Sequence, residues 1–138
     1  MRTTNFLLGL AVLAGCGGSS SLTGFDAELA QARTNWAARN LRSYSFTVSK
    51  SCFCPEEYTR PATITVRDGV AVDAPVHLAA YSTIDKVLDA VDAAHKSKPD
   101  VLEVDFTAEG WPRTLRVDPS AALADEEYYL TISNLTSL

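Results

Sequence analysis

Ligands for a metal centre are nearly missing from this chain. Its 138 residues include three cysteines and two histidines, and His77 and His95 stand at no spacing that a metal site uses. Clustered lysine and arginine are missing too. Twelve basic residues face 17 acidic ones, for a net charge of −5, which excludes the basic footprint that nucleic-acid binding requires. The apolar run from Phe6 to Ala14 has about half the length of a permanent bilayer-spanning helix. No glycine-rich phosphate loop follows a strand, no serine sits in a nucleophile elbow, and no histidine pairs with a plausible nucleophile. These absences point away from an enzyme, and no cofactor is expected.

What is present begins with an address. Arg2, the apolar run and the small residues Ala14 and Gly15 follow the charged, apolar, small-residue order of a secretory signal. Leu13-Ala14-Gly15-Cys16 resembles the lipobox of bacterial lipoproteins. That resemblance implies cleavage before Cys16, lipid on its sulfur and acylation of the new amine, and two or more acyl chains give stable anchoring. The expected organisation is a signal peptide at 1–15, a lipidated cysteine and flexible tether at 16–23, and one domain at 24–138. Cleavage removes Arg2 and no acid, so the mature body is more acidic still, and the acyl group does the membrane work. Gly17 replaces the aspartate associated with inner-membrane retention, so the outer membrane is favoured in a host with two membranes.

Periodicity then sets the fold class. Phe25, Leu29, Ala32 and Trp36 make a helical stripe within Thr23–Leu41. Tyr44, Phe46 and Val48 alternate with polar residues as a half-buried strand does, and Lys50 interrupts that face, so the strand is expected to fray or bulge before the cysteines. Ala62, Ile64 and Val66 lead to Asp68-Gly69, a tight hairpin signal, and Val70 and Val72 begin the return. A second helix carries Ile84, Val87, Leu88, Val91 and Ala94, with Ser82 and Asp85 in a capping-box pattern and Pro99 as its stop. His95 belongs to its C-terminal turn, where a positive charge is favoured. Leu102, Val104 and Phe106, then Leu115 and Val117, then Tyr128, Leu130 and Ile132, alternate inward in three more strands. The reading is an α+β domain. Two helices cover one face of a mainly antiparallel sheet of about six strands, in two αβββ halves near 25–74 and 83–133.

The stretch SKSCFCPEEY places Cys52 and Cys54 one residue apart. Outside the cytosol thiols tend to oxidise, and with Cys16 lipidated each has one intramolecular partner. A bond between them requires the chain to bend at Phe53, because two residues along an extended strand lie at or beyond the limit for a disulfide. A redox pair would prefer a helix N-terminus and no acidic neighbours, whereas Glu56 and Glu57 follow here. A metal clip would need two further ligands. The expected role is a local structural staple, with redox or metal handling as the alternative.

Asp118, Asp125, Glu126 and Glu127 concentrate carboxylates without EF-hand spacing and read as a solvated acidic loop. Gly110-Trp111-Pro112 sets an aromatic at a turn, where Trp111 either closes the core or contacts a partner. Trp36, Tyr44-Ser45-Phe46, Cys52-Phe53-Cys54, Val66-Arg67-Asp68-Gly69-Val70, the helix after Thr83, Gly110-Trp111-Pro112 and Asp118 with Asp125-Glu126 together resemble a family of small, uncharacterised bacterial envelope lipoproteins. The likeness runs over roughly residues 30–132, and its most specific parts are the Cys-x-Cys and the Gly-aromatic-Pro turn. It implies no activity, substrate or catalytic residue. The functional expectation is a non-catalytic interaction or assembly module, held to a membrane by lipid on Cys16, with an envelope protein as partner and no nucleic acid.

Overall fold

The computed structural model describes residues 24–138. The expected signal, Cys16 and tether lie outside the described residues. Helix α1 (Gly24–Ala38) leads into β1 (Tyr44–Cys52), β2 (Ala62–Arg67) and the short β3 (Val70–Ala71). Helix α2 (Ile84–Lys96) then leads into β4 (Val101–Phe106), β5 (Pro112–Asp118) and β6 (Tyr128–Ser137). Two 3-10 turns, Glu56–Tyr58 and Val76–Tyr81, precede β2 and α2. The strands form one six-stranded sheet in the order β3-β2-β1-β6-β5-β4, with antiparallel neighbours throughout. The domain is α+β. Its first αβββ half starts at the sheet centre and works outward, and its second starts at the opposite edge and works inward until β6 meets β1.

One sheet face and the two helices bury the core. Tyr44, Phe46, Val48, Ile64, Val66, Leu115, Val117, Leu130 and Ile132 pack against Leu29, Ala32 and Trp36 of α1 and the apolar stripe of α2. Burial of that area is the main favourable term in folding. Polar ends of the core aromatics are satisfied. Tyr44 accepts the Ile84 N–H at 3.0 Å, and Trp36 donates its indole N–H to Asp85 at 3.4 Å. Both bonds bind the start of α2 to the rest of the domain, since Ile84 N–H is one of the donors a helix leaves orphaned.

Two turns depend on glycine. Asp68 (φ 49°) and Gly69 (φ 83°) both take the left-handed conformation of a tight hairpin. Gly110 (φ 90°) lies in the β4–β5 turn against the back of α1. A β-carbon there would meet the Ala32 carbonyl and stand 2.7 Å from Trp36 N. Asn35 donates to the Ala108 carbonyl at 3.2 Å, fastening the same turn to the helix.

Several expectations need correction. Lys50 does not break β1, which runs to Cys52 and pairs with β6 up to Cys52 opposite Tyr128. The irregularity lies at the other end, between Ser45 and Thr47. Lys50 stays on the helix side because its ammonium lies 5.2 Å from the Tyr128 ring centre and 5.9 Å from that of Tyr81, two faces that attract a cation while its stem covers apolar surface. Thr83, not Ser82, caps α2, accepting from Lys86 N at 3.1 Å. Ser82 instead donates to the Ala79 carbonyl and accepts from the Lys86 ammonium. Strand β6 extends to Ser137 rather than ending near 133, with Asn134 at positive φ where the pairing shifts.

Candidate functional site

At the end of β1 the chain turns back on itself. Cys54 N–H donates to the Cys52 carbonyl at 2.9 Å, a three-residue turn centred on Phe53. The two sulfurs are bonded across it, with the α-carbons 5.3 Å apart. Extended geometry gives way to this bend at the residue where the disulfide requires it. Pro55 follows and starts the turn Glu56–Tyr58. Phe53 is left pointing into solvent, 79% exposed, and Tyr129, which borders the same small cleft, is 44% exposed. The small ring fixes the backbone at its apex, so little backbone freedom remains to be lost on binding there.

The open face of the sheet begins beside Phe53. Register places Ser51 opposite Tyr129, Tyr129 opposite Arg116, and Arg116 opposite Glu103. Directly opposed residues share a face, so these four side chains form one row across β1, β6, β5 and β4, about 14 Å long at the usual strand spacing. Arg116 donates to Glu103 at 3.2 Å, and its guanidinium carbon lies 5.5 Å from the Tyr129 ring centre. The hydrogen bond to Glu103, then the field of Tyr129, push the Arg116 pKa further up. Its Nε is buried and has no partner. A cleft of about 320 Å³ lies over this row and over Thr114 and Thr131. A smaller one of about 100 Å³ joins Ser51, Phe53, Glu127 and Tyr129. Tyr129 borders both.

On the covered side of the same sheet end, Tyr81 is pushed up to about 12 by burial and by the Tyr128 phenol beside it. Burial also raises Tyr128. The larger cleft of about 460 Å³ between β3 and the start of α2 includes Lys86, whose ammonium is already bonded to Ser82 Oγ at 2.9 Å and to the Ala79 carbonyl.

The sequence-derived candidates separate in space. Cys52 and Cys54 are joined to each other. His77 stands edge-on to Tyr58, and His95 pairs with Asp26 and stacks on Phe25 at the far side of α2. Among the described residues no three His, Cys, Asp or Glu side chains come together as a metal site would require. Asp118 accepts from Ser120 N, while Asp125, Glu126 and Glu127 are exposed in the loop before β6. Trp111 is half-buried and packs against the core.

A family model described as a family of unknown function, DUF6174, matches residues 28–137. The chain belongs to DUF6174. No curated protein and no solved structure matches it. The matched span of this DUF6174 domain takes in α1 from Glu28 onward, all of α2, all six strands, the disulfide turn and the Tyr129 row. Tyr129, Arg116 and Glu103 are the residues that reading the sequence missed. Each shows there only as the outward phase of an alternating strand, and Tyr129 alone, an outward-facing aromatic, offered a visible signal.

Proposed function

We propose that this protein is a lipid-anchored bacterial cell-envelope module that binds another envelope component and catalyses no reaction. Lipid on Cys16 would hold it to a membrane, and the sheet end carrying Phe53 would make the contact. The observation that supports this most is Phe53 itself: a bare phenyl ring in solvent, held there by a covalent turn with no role in the core. Exposed aromatics in fixed geometry are the usual anchors of binding surfaces.

The test uses the full chain in a bacterial host. Wild-type protein is expected in the membrane fraction with the mass of an acylated Cys16, and Cys16→Ser is expected uncleaved or released. Washed envelopes should retain added protein that lacks the acyl chains and is otherwise wild type, and release the same protein carrying Phe53→Ala. Unchanged fractionation and mass in Cys16→Ser would reject the anchor. Equal retention of wild type and Phe53→Ala would reject the contact.

A further inference from the structure

We infer that the open-face row beginning at Phe53 binds a neutral, hydroxyl-rich polymer, a glycan chain of the envelope. This rests on the reading above that the Phe53 end is the contact site, and it names the class of ligand.

Three properties of the row select that class. Two exposed aromatic rings, Phe53 and Tyr129, flank the small cleft and offer flat apolar platforms. The C–H faces of sugar rings match such platforms. Charge on the row is internally balanced, since Arg116 is paired with Glu103 and the neighbouring Arg113 with Asp105 at 3.2 Å. Glu127 at the rim adds a negative charge, so anionic polymers and anionic lipid are disfavoured. The polar groups mix pure donors, pure acceptors and hydroxyls that do both: a guanidinium, a carboxylate, and Ser51 and Thr131. An uncharged ligand that satisfies all of them carries donors and acceptors on each group, as a sugar hydroxyl does.

The shape agrees with a chain rather than a single small molecule. The two clefts share Tyr129 and follow one cross-strand row about 14 Å long. They are shallow and open at the sides, so a polymer can enter and leave along the row. Beyond the row the sheet face continues in hydroxyls, with Thr63, Thr47 and Ser133 opposite one another on β2, β1 and β6.

The experiment screens the full chain, kept unacylated by Cys16→Ser and purified in detergent, against immobilised neutral and anionic oligosaccharides and against washed envelopes with and without protease treatment. Retention on at least one neutral glycan and on protease-treated envelopes is expected. Tyr129→Ala and Arg116→Gln should each weaken binding about tenfold, and Phe53→Ala severalfold; all three positions are at least partly exposed, so the fold should survive, as circular dichroism would check. Retention lost on protease treatment would overturn the glycan and leave a protein partner, with the proposed contact site intact. Preference for anionic glycans, or binding indifferent to Tyr129→Ala and Arg116→Gln, would also overturn it. No retention on any envelope preparation would reject both readings.

Discussion

Replacing Gly110 by alanine isolates the contact between the β4–β5 turn and α1. Two costs add. Alanine at a φ of 90° carries a backbone penalty of about 1–2 kcal/mol. The new methyl would also press on α1: it meets the Ala32 carbonyl, lies 2.7 Å from Trp36 N and 2.9 Å from Asn35 Cβ. Two of these three neighbours are backbone of a regular helix and cannot rotate away. The helix must lift, and overpacking of this kind costs about 1–3 kcal/mol. The total is about 2–5 kcal/mol. For a domain of this size a loss of 1 kcal/mol lowers the melting temperature by about 4 °C, so Gly110→Ala should melt roughly 8–20 °C below wild type. Gly69→Ala is the control. Its φ of 83° is equally unfavourable, but no atom lies within 4 Å of the new methyl, so only the backbone penalty applies and the drop should be about 4–8 °C. Thermal unfolding followed by circular dichroism reads both. Equal losses in the two variants would refute the close approach of turn and helix.

Three further outcomes are expected. Cys52→Ser with Cys54→Ser should still fold and lose only about 1.5 kcal/mol, because a three-residue ring restrains the unfolded chain little; a denaturant midpoint showing a loss above twice that would assign the bond a larger structural role. Thr83→Ala should cost about 1 kcal/mol by freeing the Lys86 N–H at the start of α2, and an unchanged urea midpoint would mean the cap is replaced by water at no cost. Alkaline stability should decline as well: burial holds Tyr44, Tyr81 and Tyr128 above their ordinary value of 10.0, with Tyr81 at about 12. The unfolded chain therefore releases these protons first, so their contribution is complete below about pH 10 and lost as pH rises toward about 12. Denaturant titrations across that window should show a shallower decline for Tyr81→Phe, and a midpoint that does not move would contradict the burial argument.

Local patterns were legible where a residue's neighbours in sequence are also its neighbours in space. The stripe of α2, the Asp68-Gly69 turn and the inward phases of β1 and β5 are of this kind, and so was the bend at Phe53, which follows from the reach of a disulfide. Lys50 misled because alternation treats any charge on the inner face as a break. The two tyrosine rings that accommodate it come from residues 31 and 78 positions later. The cap at Thr83 was displaced by one residue because Ser82 is equally capable chemically and only the helix start decides between them. The row on the open face was not legible as a row. Tyr129 signals only as an outward aromatic, and Arg116 and Glu103 are unremarkable outward residues until the register of two strand pairs aligns all three.

The pairing of β1 with β6 bears on when this chain can fold. Val48 lies opposite Ile132 at the middle of the sheet, so the central seam joins segments from opposite ends of the described sequence. Such distant pairing raises contact order and slows folding. During synthesis, β1 through β5 emerge with the middle of the sheet still unzipped. The core residues Val48, Leu130 and Ile132 cannot close over one another until the final strand arrives. A chain built this way locks only once its last segment is delivered, so shortening β6 by a few residues should leave synthesis intact while yielding a product that proteases clear.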